Sequence, residues 1–204
     1  MRPFLFASIV AGAASVAAAG GMKYTPLVDV AAVDPACRVL AQTPQNATVD
    51  GPSYDAAIST ANCVAMAGTR TLVLTPSADS VKALDDAEAP ALAILDRVIA
   101  RGDAEHALIA DYAEVDLLRG NAARMLDALP PLSPQMSRNE VAEHTRQVMV
   151  TGVLIEPWLR RATKIRRDIA TLVSAHPELA TRDVVLANIV ASTRIVEAVG
   201  LAAR

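Results

Sequence analysis

The side chains with the most chemical potential in this 204-residue chain are three histidines, two cysteines and a handful of carboxylates set among apolar positions. Glu140 and His144 stand four apart, a spacing that puts both on one helix face and can hold a metal. Bundles that hold two metals want Glu-x-x-His on two helices and two further Glu, and His144 has Glu at four and one positions away instead. The pair therefore reads as part of a solvated helix start, and no metal or other cofactor is expected. Cys37 and Cys63 are the only cysteines, in no CxxC or CxxCH and with no His nearby, which leaves little for redox, metal or haem chemistry.

Three carboxylates fall on or beside apolar stripes: Glu88 between Leu84 and Leu92, Asp111 between Leu108 and Val115, and Glu156 after the run Val148–Ile155. A buried carboxylate is costly unless paired. These three are therefore read as ion pairs or stripe-edge positions, or else as the lining of a polar pocket able to do acid/base work. No Ser-His-Asp, Cys-His or phosphate-loop arrangement accompanies them. An enzyme is thus not the leading expectation.

On the surface, Arg160, Arg161, Lys164, Arg166 and Arg167 form a dense basic cluster that reads either as a face for an anionic partner or as cations neutralised by neighbouring carboxylates. Arg101-Gly102-Asp103 spells an integrin-type tripeptide, but its Gly is placed to stop a helix and its Asp to cap the next.

The elements that must position these residues are helical. The chain is 52% apolar, mostly Ala, Leu, Val and Ile, with only six aromatic residues. Ala and Leu favour helix, and scarce rings argue against base-stacking or sugar platforms. A net charge of −3 gives no global attraction to nucleic acid. The pattern predicts an all-α fold, an antiparallel bundle of about four to five main helices.

Three stretches divide the chain. Residues 1–19 have a basic start (Arg2), an uncharged run from Phe4 to Val16 and a small-residue site at Ala17-Ala18-Ala19, the three parts of a cleavable secretory signal peptide. That run is shorter and less apolar than the ~20 residues a spanning helix needs. No Cys follows it, so a lipoprotein site is not expected, and Arg-rich, Lys-poor usage suits a bacterial source. Export to the periplasm or beyond favours pairing of Cys37 with Cys63 as a structural disulfide. Asn46-Ala47-Thr48 matches a glycosylation acceptor and is read as chance.

Residues 20–53 read as an irregular arm with a short helix after Asp34-Pro35. Residues 54–204 read as the bundle. Its first helix is expected over Tyr54–Ala67, capped by Ser53 and stopped by Gly68. A second follows Thr75-Pro76 and is kinked or split at Pro90. A third spans about 104 to 129. Ser137 and Glu140 form a capping box, starting a long helix that continues to Ala175 through a kink at Pro157. Thr181 caps a last helix that reaches about Val199. Ala104–Leu129, with Tyr112 and Gly120, is faintly like a tetratricopeptide unit, but the spacings do not fit and no second copy is found.

Three functions remain open. The first is an exported interaction or structural component of the envelope, meeting another envelope protein or an anionic surface. The second is a small-molecule or metal-binding bundle with Glu88, Asp111 and Glu156 in its pocket. The third is a divergent helical-repeat adaptor.

Overall fold

The computed structural model describes residues 26–31, 33–41, 51–182 and 184–192. The signal sequence expected over residues 1–19, Asn46-Ala47-Thr48 and the end expected for the last helix near Val199 lie outside these residues. Within them the fold is all-α, with no strand. A 3-10 turn at Pro35–Cys37 leads into α1 (Arg38–Ala41), followed by α2 (Gly51–Thr69), α3 (Ala78–Arg101), α4 (Ala104–Asp127), α5 (Arg138–Ala175) and α6 (Leu179–Arg182). Residues 184–192 are helical as well.

Local chemistry explains most boundaries. Asp34 accepts from the Ala36 amide and Pro35 opens the 3-10 turn. Ser77 caps α3, whose last turn closes with the Gly102 amide donating to Val98 O at 2.7 Å. Asp103 immediately caps α4 by accepting from the His106 amide at 3.0 Å. Arg101-Gly102-Asp103 is thus a helix stop and start. The Ser137/Glu140 capping box is present at the head of α5. α3 passes through Pro90 and α5 through Pro157 without being split.

Three boundaries differ from expectation. α2 begins at Gly51 rather than Tyr54, because Pro52 sits in the first turn, where its missing N–H costs nothing; Ser53 is buried inside the helix instead of capping it. α2 also runs through Gly68. α6 starts at Leu179, directly after the His176-Pro177 break, so Thr181 lies within it and donates its hydroxyl back to Glu178 O.

Helices α2, α3, α4 and α5 pack in chain order, and α2 also packs on α4. Tyr54, near the start of α2, donates to Arg101 O at the end of α3, whereas Gly68, near the end of α2, faces Ala87. Arg124, late in α4, donates to Thr69 O at the end of α2. The core has two adjoining parts. One gathers Leu27, Val28 and Val33 of the arm with α2 and α3; the other gathers α4, α5, Leu179 and the 184–192 segment. The arm is tied on by Cys37–Cys63, a disulfide with Cα atoms 5.7 Å apart, and by Arg97 donating to Leu27 O. Leu72 and Leu74 lie in a non-helical strap and pack on the second part, while Val73 between them is exposed.

Gly68 is where two helices touch backbone to backbone. A Cβ there would stand 2.8 Å from Ala87 O. Gly68→Ala is therefore expected to cost about 1–2 kcal/mol despite Ala's better helix propensity. Gly120→Ala, where a Cβ meets nothing within 4 Å, is expected to gain about 0.5–1 kcal/mol. Urea melts of the two variants should move in opposite directions.

Candidate interaction surface and polar sites

The three carboxylates singled out above do not meet. Glu88 is buried in α3 and accepts from Asn121 Nδ2 of α4 at 2.7 Å, also buried. Burial pushes its carboxyl up, with the Asn121 bond and then Arg124 acting against that. Asp111 is half-buried on α4, and its pKa is pushed to about 6 by burial, then by Glu114 and Asp168, with Lys164 opposing. Glu156 is exposed on α5 and pairs with Arg160 of its own helix at 2.6 Å.

The fully enclosed carboxylate that pairs across helices is Glu114, on α4, bonded to Arg161 Nε of α5 at 2.6 Å. Its carboxyl is raised by burial and held back by Arg161. Glu114 was missed because α4 packs on α2, α3 and α5, so more than one stripe of it is covered. A single heptad series passing through Leu108 and Val115 leaves Glu114 on what looks like an open side.

The basic cluster is largely engaged. Arg160 pairs with Glu156, Arg161 with Glu114 and Lys164 with Asp168. Arg166 is pulled below its usual range by burial and by the neighbouring Arg119. Arg160, Lys164 and Arg167 share a shallow surface cleft of about 330 Å³ with Glu156, Leu159 and Thr163. Glu140 is committed to its capping box, and among the described residues no three His, Cys, Asp or Glu side chains gather as a metal site would require. His106 is held by Asp103 at 2.8 Å and lies against Tyr54, with ring centroids 5.1 Å apart.

No family model, curated protein or solved structure matches the chain. Function must be read from its surfaces.

Two surfaces stand out. One is a cleft of about 480 Å³ between α2, α4 and residues 184–192, where Ile58, Ile109, Leu117 and Ile189 meet the polar Asn62, Tyr112, Asp116 and Asn188. The other is the amino-terminal half of α5. This helix has 38 residues against 24 in α4, its packing partner, so at ~1.5 Å per residue it outreaches α4 by roughly 20 Å. This half of α5 carries the uncharged run Val148–Ile155, whose Ile155 packs in the second part of the core. Thr151 and Ile155 of that run are buried, but Met149 is 69% and Val153 71% exposed, with Val148 and Val150 near 40%.

Asp111 makes a testable contribution to pH dependence. Its folded pKa of about 6 lies above the ordinary 3.8, so the folded state holds its proton more tightly than the unfolded chain does. Its contribution to stability is full below pH 3.8 and is lost as the pH rises through about 6. Asp111→Asn is therefore expected to stabilise the fold by about 1 kcal/mol at pH 7, after allowance for its partial exposure, and hardly at all at pH 4. Denaturant melts at the two pH values check this.

Proposed function

We propose that this chain is an exported helical interaction protein, which presents the outer face of α5 to another component of the cell envelope. One observation carries the reading: the stretch Val148–Ile155, broken only by Thr151 and Gly152, carries apolar side chains around most of its circumference, yet the fold buries only one side of it. A helix apolar all round is normally enclosed, and an exposed apolar patch with a charged surround marks a contact surface. Arg146, Glu156 and Arg160 supply such a surround. Export is supported by the leader-like residues 1–19 and agrees with the Cys37–Cys63 disulfide; among the described residues no helix is long and apolar enough to cross a membrane.

A photo-crosslinking residue at Val153 in the source cell tests the reading, with the same residue at exposed Asp79 as the control. Adducts of defined mass are expected at 153 and absent at 79. Equal labelling, or none at either position, overturns the proposal. Amino-terminal sequencing of the exported chain is expected to begin at Gly20.

The α2/α4 cleft favours a second reading, the capture of a small apolar molecule with a hydrogen-bonding end. Its size and its mixture of apolar walls with a few polar groups are those of small-molecule pockets. Ala113 also lines the cleft, and an apolar fluorescent dye bound by the wild type and lost in Ala113→Trp supports this reading; no dye binding removes it.

A further inference from the structure

We infer that the exposed face of α5 pairs with the same face of a second copy of this chain, the two helices running antiparallel about a two-fold axis level with Thr151. This deepens the proposed interaction function and rests on it, naming the partner. Helical periodicity sets Ala142, Arg146, Met149, Val153, Glu156 and Arg160 along one line, opposite the buried Thr151, Ile155 and Trp158, and all six are exposed.

The line is self-complementary. A two-fold contact requires that if residue i of one copy faces j of the other, j also faces i. Centring the pair on Thr151 sets Met149 of each copy against Val153 of the other, and Arg146 against Glu156. The apolar contact and the opposite-charge contact then each occur twice, once on each side of the axis. Arg146 and Glu156 already have partners in their own helix, Glu143 and Arg160, through exposed pairs. Adding the facing copy joins these pairs into a four-membered chain of alternating charge at each rim. Gly152, whose missing Cβ meets nothing within 4 Å, adds no bulk near the crossing point.

Charge also selects the direction. In a parallel pair the five cations from Arg160 to Arg167 would stack against their own copies. In the antiparallel pair they lie on opposite sides of the axis, on the order of 35 Å apart along the helices.

Sedimentation equilibrium of the exported full chain tests the inference. The wild type is expected to show a reversible monomer–dimer equilibrium. Met149→Glu/Val153→Glu is expected to sediment as monomer with unchanged helical circular dichroism, since both side chains face outward. Arg146→Glu alone should weaken the dimer at least tenfold, and Arg146→Glu/Glu156→Arg should recover most of that loss by reversing both partners together. A wild-type chain that stays monomeric to about 100 µM, or a dimer indifferent to these substitutions, or a charge swap that fails to rescue, overturns the inference. Its failure is separable from failure of the broader reading. A crosslink from Val153 to a different envelope protein, with the chain itself monomeric, leaves the interaction function standing and removes only the second copy.

Discussion

Cys37→Ala/Cys63→Ala is expected to lower the unfolding free energy by about 3 kcal/mol, the order expected for closing a loop across a separation of 26 residues. The loss should begin at the arm. Leu27, Val28 and Val33 are buried against α2 and α3, and beyond their own packing they are held by Arg97 on Leu27 O and by the bridge at Cys37. Hydrogen exchange in the variant is expected to rise first over residues 27–41, while the α4 and α5 amides keep their protection. The bond also reports the compartment. Chain recovered after export should show no free thiol to an alkylating reagent, whereas chain made in a reducing cytoplasm without residues 1–19 should show two. Urea melts with and without reductant measure the energy directly. A shift below about 1 kcal/mol would mean that the packing of the arm, rather than the crosslink, holds it in place.

Arg161→Met is expected to cost about 2 kcal/mol at pH 7. The substitution keeps most of the apolar stem and removes the cation from Glu114, which remains 3% exposed between α4 and α5. An enclosed carboxylate that loses its partner escapes the penalty chiefly by taking up a proton. In the variant the folded pKa of Glu114 therefore lies further above its unfolded value, and stability falls as the pH rises through that folded value. The gap between wild type and variant should accordingly widen from pH 4 to pH 7. Glu114→Leu/Arg161→Met removes both charges and should restore most of the loss, because apolar replacements often match a buried ion pair. Equal melts for the single variant at both pH values would show that Arg161, nearly half exposed, contributes no more than a surface pair does.

The Arg161 result matters for function because five cations close together suggest an anion-binding patch. Three of them answer carboxylates within the fold, and one of those three, Arg161, bridges α4 and α5. Of the large apolar side chains of α5, Met149 and Val153 are the most exposed, which is why the proposed contact is placed there rather than on the cations.

Much of the local architecture was legible in the residues themselves. Asp34-Pro35, Gly102-Asp103 and the Ser137/Glu140 capping box act through backbone groups two to four residues away, so their effect does not depend on the rest of the fold. The disulfide was legible for a simpler reason, since a chain with two cysteines has one internal pairing available. The all-α class followed from Ala and Leu abundance and the 3.6-residue recurrence of apolar positions.

Tertiary structure decided which faces those helices cover. Periodicity marks one stripe on a helix, but α4 has neighbours on three sides, so Glu114 and Asn121 are enclosed although neither lies on the stripe through Leu108 and Val115. Glu156, at the end of an apolar run, is exposed because the side of α5 it occupies faces away from α4. Gly68 reads locally as a helix stop and is instead the point where α2 and α3 come into backbone contact. Met149 and Val153 are exposed because they share the side of α5 that Glu156 occupies, opposite the buried Thr151, Ile155 and Trp158, a relation set by packing between distant segments. A sequence sets the turn-by-turn geometry of each helix because those bonds are short-range; burial is a property of pairs, and only the assembled fold specifies the pairs.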